Sequence, residues 1–187
     1  MLPPSSLKLL YHSFIQPHIQ YALPAWGGCS TQNKKRIITI QKRAIRTITK
    51  SFHTAHTEPR MKKLGLLKFE DLYKLDINLL AHDCLYGNAP KNIGNLVKLA
   101  QSTSHNLRNQ VNNPLSLKVP IFKSRAGSHS FRLVGPTIWN MVPYEQQSIN
   151  QKVRFKRAMK KSILENYEKA VCTNPRCKDK GNHLCTG

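Results

Sequence analysis

Residues 31–50 read TQNKKRIITIQKRAIRTITK, and their spacing governs the reading of the whole chain. At about 100° per residue, Ile37, Ile40, Gln41, Ala44, Ile45 and Ile48 fall on one side of a helix, with Ile38 at its edge. Lys35, Arg36, Lys42, Arg43, Arg46 and Lys50 fall on the other side, and Lys34 is the one outlier. One side can bury against a core while the other offers a row of cations. Solvated helix faces usually mix both signs, whereas this one has no carboxylate to pair with. The first acidic residue of the chain is Glu58, and eight Lys/Arg precede it. A stripe of this kind is the electrostatic footprint of a surface that follows a phosphate backbone.

The whole-chain balance agrees. Thirty Lys/Arg against nine Asp/Glu give 187 residues a formal net charge of +21. Self-repulsion at that charge works against a compact state unless a polyanion neutralises it. DNA, RNA or an RNA–DNA hybrid is the partner this implies. An anionic membrane is the competing polyanion, disfavoured by the lack of a Trp/Phe stripe or a lipidation signal. No run of about 18 apolar residues exists to span a bilayer. Lys8, His12, Gln16 and Pro17 interrupt the apolar positions of the N-terminus, which is wrong for a signal peptide. The expected location is therefore intracellular, cytoplasmic or nuclear, with the five cysteines as thiols and not a disulfide framework.

The predicted fold is mainly α. Residues 1–57 form a basic helical region, in which a Ser cap follows Pro3-Pro4. Leu7, Leu10, Tyr11, Phe14, Ile15, His18, Tyr21 and Ala22 recur at helical steps there, and Pro17 should kink or split the helix. Pro24 and Gly27-Gly28 close it, and Ser30 or Thr31 caps the basic helix. Residues 51–60 read as a polar loop. Residues 58–100 form a second helical region, with a long helix from about Lys68 to Tyr86 that holds Glu70, Asp71, Asp76 and Asp83. Those acids read as a solvated face balancing Lys68 and Lys74. A short helix is expected near 91–100.

Residues 101–170 comprise a polar linker, a short β segment and a last helix. Leu115, Leu117, Val119 and Ile121 alternate between Pro114 and Phe122 with the period of a strand. Gly135-Pro136 should prevent one continuous helix through SFRLVGPTIWNMVP. The last helix, capped near Ser148, carries Lys152, Arg154, Lys156, Arg157, Lys160 and Lys161 around its apolar positions.

Catalytic signatures are missing from the sequence. No P-loop, dinucleotide fingerprint or nucleophile–His–acid pattern appears, and the nine acidic residues offer no set suited to two metal ions. The chain alone is not expected to be an enzyme. Cys29 and Cys84 read as small buried hydrophobes, and Trp26 and Trp139 as core anchors. The tail, residues 171–187, holds Cys172-x4-Cys177-x5-His183-x-Cys185, the ligand types and number of a structural zinc site. Its surroundings cannot build a core, so metal would have to fold it. The spacing is not that of a zinc knuckle, and the other reading is a basic tail with reduced thiols.

These blocks together resemble a known family. LYHSFIQPHIQYALPAWGG, RIITIQKRAIRTIT, HTEP, LGLLKFEDLYKL, LYGNAP, SFRLVGPTIWNMVP and the closing Phe155-x-x-x-Met159 helix occur in this order. In that order they resemble the region after the polymerase core in jockey-like non-LTR retrotransposon (LINE) reverse transcriptases, over residues 5–170. The resemblance implies a thumb-like helical bundle followed by a mixed helical region, without the fingers and the palm that carries the magnesium-binding carboxylates. It implies a non-catalytic piece of an RNA-directed DNA polymerase. Lys35, Arg36, Lys42, Arg43, Arg46 and Lys50 would grip the primer–template backbone, and a Cys/His-rich end would bind nucleic acid. Two other readings stand beside it. The apolar faces of residues 5–50 would serve a protein-interaction module, docking the missing polymerase half or a second copy. Alternatively, the frame is a relic without selected function.

Overall fold

In the computed structural model, residues 2–100, 113–121, 127 and 129–167 are described. The architecture is mainly α-helical. Helix α1 (Pro4–Leu10) starts with Pro3 as its N-cap and Pro4 at the first position, not with a serine cap. Proline suits that position because its missing N–H would have had no helical partner. The helix then widens into a π turn (Tyr11–Ile15) before α2 (Gln16–Gln20). Pro17 therefore sits in the first turn of α2, and the expected break takes the form of a change in hydrogen-bond register. Tyr11 and Ile19 are buried, whereas Leu9, Leu10, Phe14 and Tyr21 stay exposed.

A short α3 (Leu23–Trp26) carries Pro24 in its first turn. Ser30 then caps α4 (Thr31–Ile48) by accepting the Asn33 N–H, as its sequence position suggests. Helix α5 (Glu58–Leu64) ends on Gly65 at φ +67°, a left-handed closure that glycine adopts without strain. The long α6 (Phe69–Leu85) follows, then the short α7 (Lys91–Gly94). Helices α8 (Phe131–Trp139), α9 (Tyr144–Gln147) and α10 (Lys152–Asn166) complete the described chain.

Two expectations fail for identifiable reasons. The β segment is not formed: among the described residues only an isolated antiparallel bridge, Leu99 to Leu117, stands in its place. Leu117 is buried, but Val119 and Ile121 point to solvent, so the alternation has no continuous surface to cover. Asn140 occupies the ladder position instead, accepting the Leu117 N–H and donating to the Leu117 carbonyl. The second failure is the break at Gly135-Pro136, because α8 runs through both. Gly135 has no Cβ to meet the proline ring, and it lies so close to the Phe131 ring that a Cβ there would approach it to 2.7 Å.

The chain divides into two compact units. Of the described residues, unit 1 takes those up to Tyr21, Ser30–Leu72 and those from Lys160 on; unit 2 takes Ala22–Cys29 and Tyr73–Met159. Unit 1 is built around Tyr11, Ile19, Ile45, Ile48, Met61, Leu67 and Phe69. The first turn of α6 is capped by side chains from far along the chain. Tyr167 Oη accepts the Lys68 N–H, and Gln41 Oε1 accepts the Phe69 N–H, each at 2.9 Å. Unit 2 packs Leu75, Ile77, Ala81 and His82 of α6 with Trp139 and Phe155. His82 Nε2 donates to the Ile149 carbonyl at 2.8 Å, and its ring stacks on Phe155 at 4.8 Å. Trp139 is fully buried with its indole N–H on the Leu115 carbonyl; Trp26 is half-buried. Cys29 and Cys84 are half-buried and not core residues.

Candidate nucleic-acid interface

The basic face of α4 is built from its buried side. Gln41, Ile45 and Ile48 are the buried residues of this helix, with Lys34, Ile37, Ile38 and Ala44 half-buried. The line through 34, 38, 41, 45 and 48 follows three- and four-residue steps, so the buried side is centred on Gln41 and Ile45. That centring explains the one misplaced isoleucine. Ile40 lies about 120° from the line and is 58% exposed, beside the cations and not opposite them.

Gln41 holds the helix in place. Its Nε2 donates to the Tyr11 hydroxyl and to the Leu67 carbonyl, both at 2.9 Å, while its Oε1 takes the Phe69 N–H. A buried amide with three partners fixes both the depth and the rotation of α4 in unit 1. Burial is the main reason the Tyr11 pKa is raised, with the Gln41 hydrogen bond opposing it.

Lys35, Arg36, Lys42, Arg43 and Lys50 are all exposed, and Arg46 is half-buried. Among the described residues none of the six is ion-paired with a carboxylate. Three acids of the chain are engaged elsewhere. Glu58 pairs with Lys68 at 2.7 Å, Asp83 with Lys152 at 2.6 Å, and Asp71 accepts the Tyr167 hydroxyl hydrogen bond. Asp71 and Asp83 of α6 are thus structural struts, in contrast to the solvated face expected of them; Asp76 is half-buried with them, while Glu70 is exposed as expected.

The end of α4 adds features that the sequence pattern did not single out. Lys50 holds a left-handed conformation at φ +49°. It closes the helix in the manner usually left to glycine, with Ser51 N–H on the Arg46 carbonyl and Lys50 N–H on the Thr47 carbonyl. The segment read as a polar loop buries Ala55 and Thr57 and presents Phe52 at 68% exposure. Arg60 reaches back to this turn from α5, donating from Nε to Ser51 Oγ at 2.7 Å. Its separation from Arg46 in sequence hides the association, and only the alternation of Ser, His and Thr through 51–57 hints at a hydrogen-bonded turn.

A cavity of about 190 Å³ lies along the flank of α4, lined in part by Lys42, Glu58, Lys68 and Glu70. Mixed charge makes it a poor cradle for phosphate. The second basic cluster, on α10, exposes Lys152, Arg154, Lys156, Arg157 and Lys161. Two of these have carboxylate neighbours, Asp83 for Lys152 and Glu165 for Lys161 at 4.0 Å. Among the described residues no group of three or more His, Cys, Asp or Glu is placed to hold a metal ion. Cys172, Cys177, His183 and Cys185 lie outside the described residues, as do the linker 101–112 and Phe122. No helix among the described residues is long and apolar enough to cross a membrane. Compared with protein-family models, curated proteins and solved structures, the chain matches none.

Proposed function

We propose that this chain is a non-catalytic nucleic-acid-binding piece of a LINE-type reverse transcriptase, equivalent to the thumb and the region that follows it. The observation that carries the reading is the carboxylate-free row of exposed cations on α4, anchored from behind by Gln41, Ile45 and Ile48. A helix presenting Lys35, Arg36, Lys42, Arg43 and the half-buried Arg46, with Lys50 in the turn that closes it, meets successive phosphates without reading bases, so binding should depend on salt more than on sequence. The order of the sequence blocks supports the family assignment.

The test is the salt dependence of duplex or RNA–DNA hybrid binding. Neutralising about four to six phosphates gives a slope of log affinity against log salt of about −3.5 to −5. Replacing Lys42, Arg43 and Arg46 together by Gln should flatten the slope by about two units or more. An unchanged slope would move the contact to the cluster on α10.

A second reading has its own observation. Leu9, Phe14 and Tyr21 are 67%, 63% and 81% exposed, an unusual amount of large apolar surface for one short helical stretch. It favours a face that docks protein, either the polymerase half of the parent element or a second copy. Concentration-dependent self-association that disappears in a Leu9→Ser, Phe14→Ser variant would favour the second copy.

A further inference from the structure

The cavity beside α4 is bordered by polar groups that the fold itself does not use. It lies within unit 1, where Lys42 of α4, Thr57 and Glu58 at the start of α5, and Lys68 and Glu70 at the start of α6 all line it. Its apolar lining is Ile38 with the buried Met61 and Phe69. The volume of about 190 Å³ falls below the roughly 300–1,000 Å³ of pockets for drug-sized ligands, and matches the share of about six waters. That is room for one flat ring system and not for a whole nucleotide.

Thr57 is 4% exposed, yet its side chain makes no cap hydrogen bond and finds no other partner among the described residues. A hydroxyl at that depth is normally satisfied, so this one is left for whatever enters the cavity. Glu58 and Lys68 pair with each other at 2.7 Å. Lys42 and Glu70 form no ion pair among the described residues. The four charges sum to zero, which suits a neutral occupant with a polar edge. The Thr57 hydroxyl can donate one hydrogen bond, and the Glu70 carboxylate can accept two side by side. Guanine carries the complement on its pairing edge, the O6 acceptor next to the N1–H and N2–H donors. No other standard base places two donors side by side there. Lys42 belongs both to the cavity and to the cation stripe, so a base in the cavity stays joined to a backbone on the stripe.

We propose that this cavity is a subsite for one unpaired guanine of a strand held by α4. Thr57 donates to O6, Glu70 accepts from N1–H and N2–H, and Ile38 with Met61 and Phe69 provides the apolar surround. The proposal rests on the nucleic-acid reading above and adds to it a base preference that phosphate contacts cannot give. An unpaired base, at an overhang or a junction, enters without the cost of opening a pair.

The test uses the full chain and duplexes of one sequence, blunt or with a single unpaired 3′ guanine, adenine, cytosine or thymine, compared at constant salt. The guanine overhang should bind about tenfold more tightly than the adenine one, the discrimination of one good bidentate pair. Glu70→Gln, at an exposed position, and Thr57→Val, which keeps the shape of the side chain, should each bring that ratio close to one. If either variant fails to fold, the other decides. Deoxyguanosine monophosphate alone should shift the Thr57 and Glu70 amide resonances in nitrogen-15 spectra, and deoxyadenosine monophosphate should not. If all overhangs bind equally while the blunt duplex keeps its salt dependence, the subsite is wrong and the stripe stands. A guanine preference that survives both variants also overturns it. If the guanine nucleotide shifts both amides but no duplex binds, the cavity takes a free guanine nucleotide and the nucleic-acid reading is wrong.

Discussion

Replacing Gln41 by Leu asks how much of unit 1 depends on one buried amide. The side chain is 1% exposed and has three partners at 2.9 Å: the Tyr11 hydroxyl, the Leu67 carbonyl and the Phe69 N–H. Leucine is close enough in size that a cavity contributes little, and its own burial returns about 1–2 kcal/mol. Against this, a buried polar group left without a partner costs about 1–3 kcal/mol, and three are orphaned. The expected net loss is about 3–5 kcal/mol, a large part of the roughly 5–15 kcal/mol typical of a folded domain. At about 2–4 °C per kcal/mol for a chain of this length, the melting midpoint should fall by about 6–20 °C. Urea unfolding followed by circular dichroism measures it, with Tyr11→Phe as the comparison. That variant leaves Gln41 its two backbone partners and should lose only about 1 kcal/mol. A Gln41→Leu loss below 1 kcal/mol, or one equal to that of Tyr11→Phe, would refute the claim that this amide positions the basic helix.

Lys50→Gly should raise stability by up to about 1 kcal/mol in urea unfolding, because glycine adopts the left-handed conformation freely. The same variant should weaken duplex binding and reduce the salt slope by about one unit, so stability and affinity move in opposite directions. Burial, and then the hydrogen bond to Asp71, push the Tyr167 pKa well above its ordinary value of 10.0. A folded-state pKa raised in this way means that stability is fully present below pH 10 and is lost as pH rises beyond it. In Tyr167→Phe that alkaline decline, read from urea midpoints across pH, should be distinctly shallower. Burial and the neighbouring Asp83 raise the Cys84 thiol from 9.0 to about 11. Peptide-resolved alkylation below pH 9 should therefore find Cys84 about 100-fold slower in the folded chain than in the unfolded one.

Surface charge was the most legible part of this sequence. A helix that exposes one side repeats its cations with the helical period, and Ser30 marks where it starts, so five of the six expected side chains are exposed and the sixth is half-buried. Its buried side was harder. Hydrophobicity ranks Ile40 above Gln41 for burial, yet the partners that make Gln41 a core residue come from Tyr11 and Phe69, 30 and 28 positions away. Arg60 was hidden for the same reason, since only the folded turn brings it to Ser51 and Arg46. The acids of α6 looked solvated because helical spacing sets them among lysines. Asp71 and Asp83 instead find Tyr167 and Lys152, 96 and 69 positions on. The alternation at 115–121 was a true pattern without a surface to cover, and the Gly135-Pro136 pair lost its helix-breaking force because the residue before the proline has no side chain.

The π turn between α1 and α2 has a bearing on how the chain tolerates change in length. Tyr11 and Ile19 are both buried although eight steps separate them, whereas a regular α-helix would bring them into line at seven. The wider turn absorbs the surplus step, and it does so just ahead of Pro17, where the ladder of N–H donors is interrupted in any case. The N-terminal helix thus keeps a spare link where its hydrogen bonding is already irregular. Loss of a single residue between Tyr11 and Ile19 would restore ordinary helical pitch and leave both side chains facing the core. Gain or loss of one residue within α4 has no such refuge, and would turn either Gln41 or the cations away from where they act.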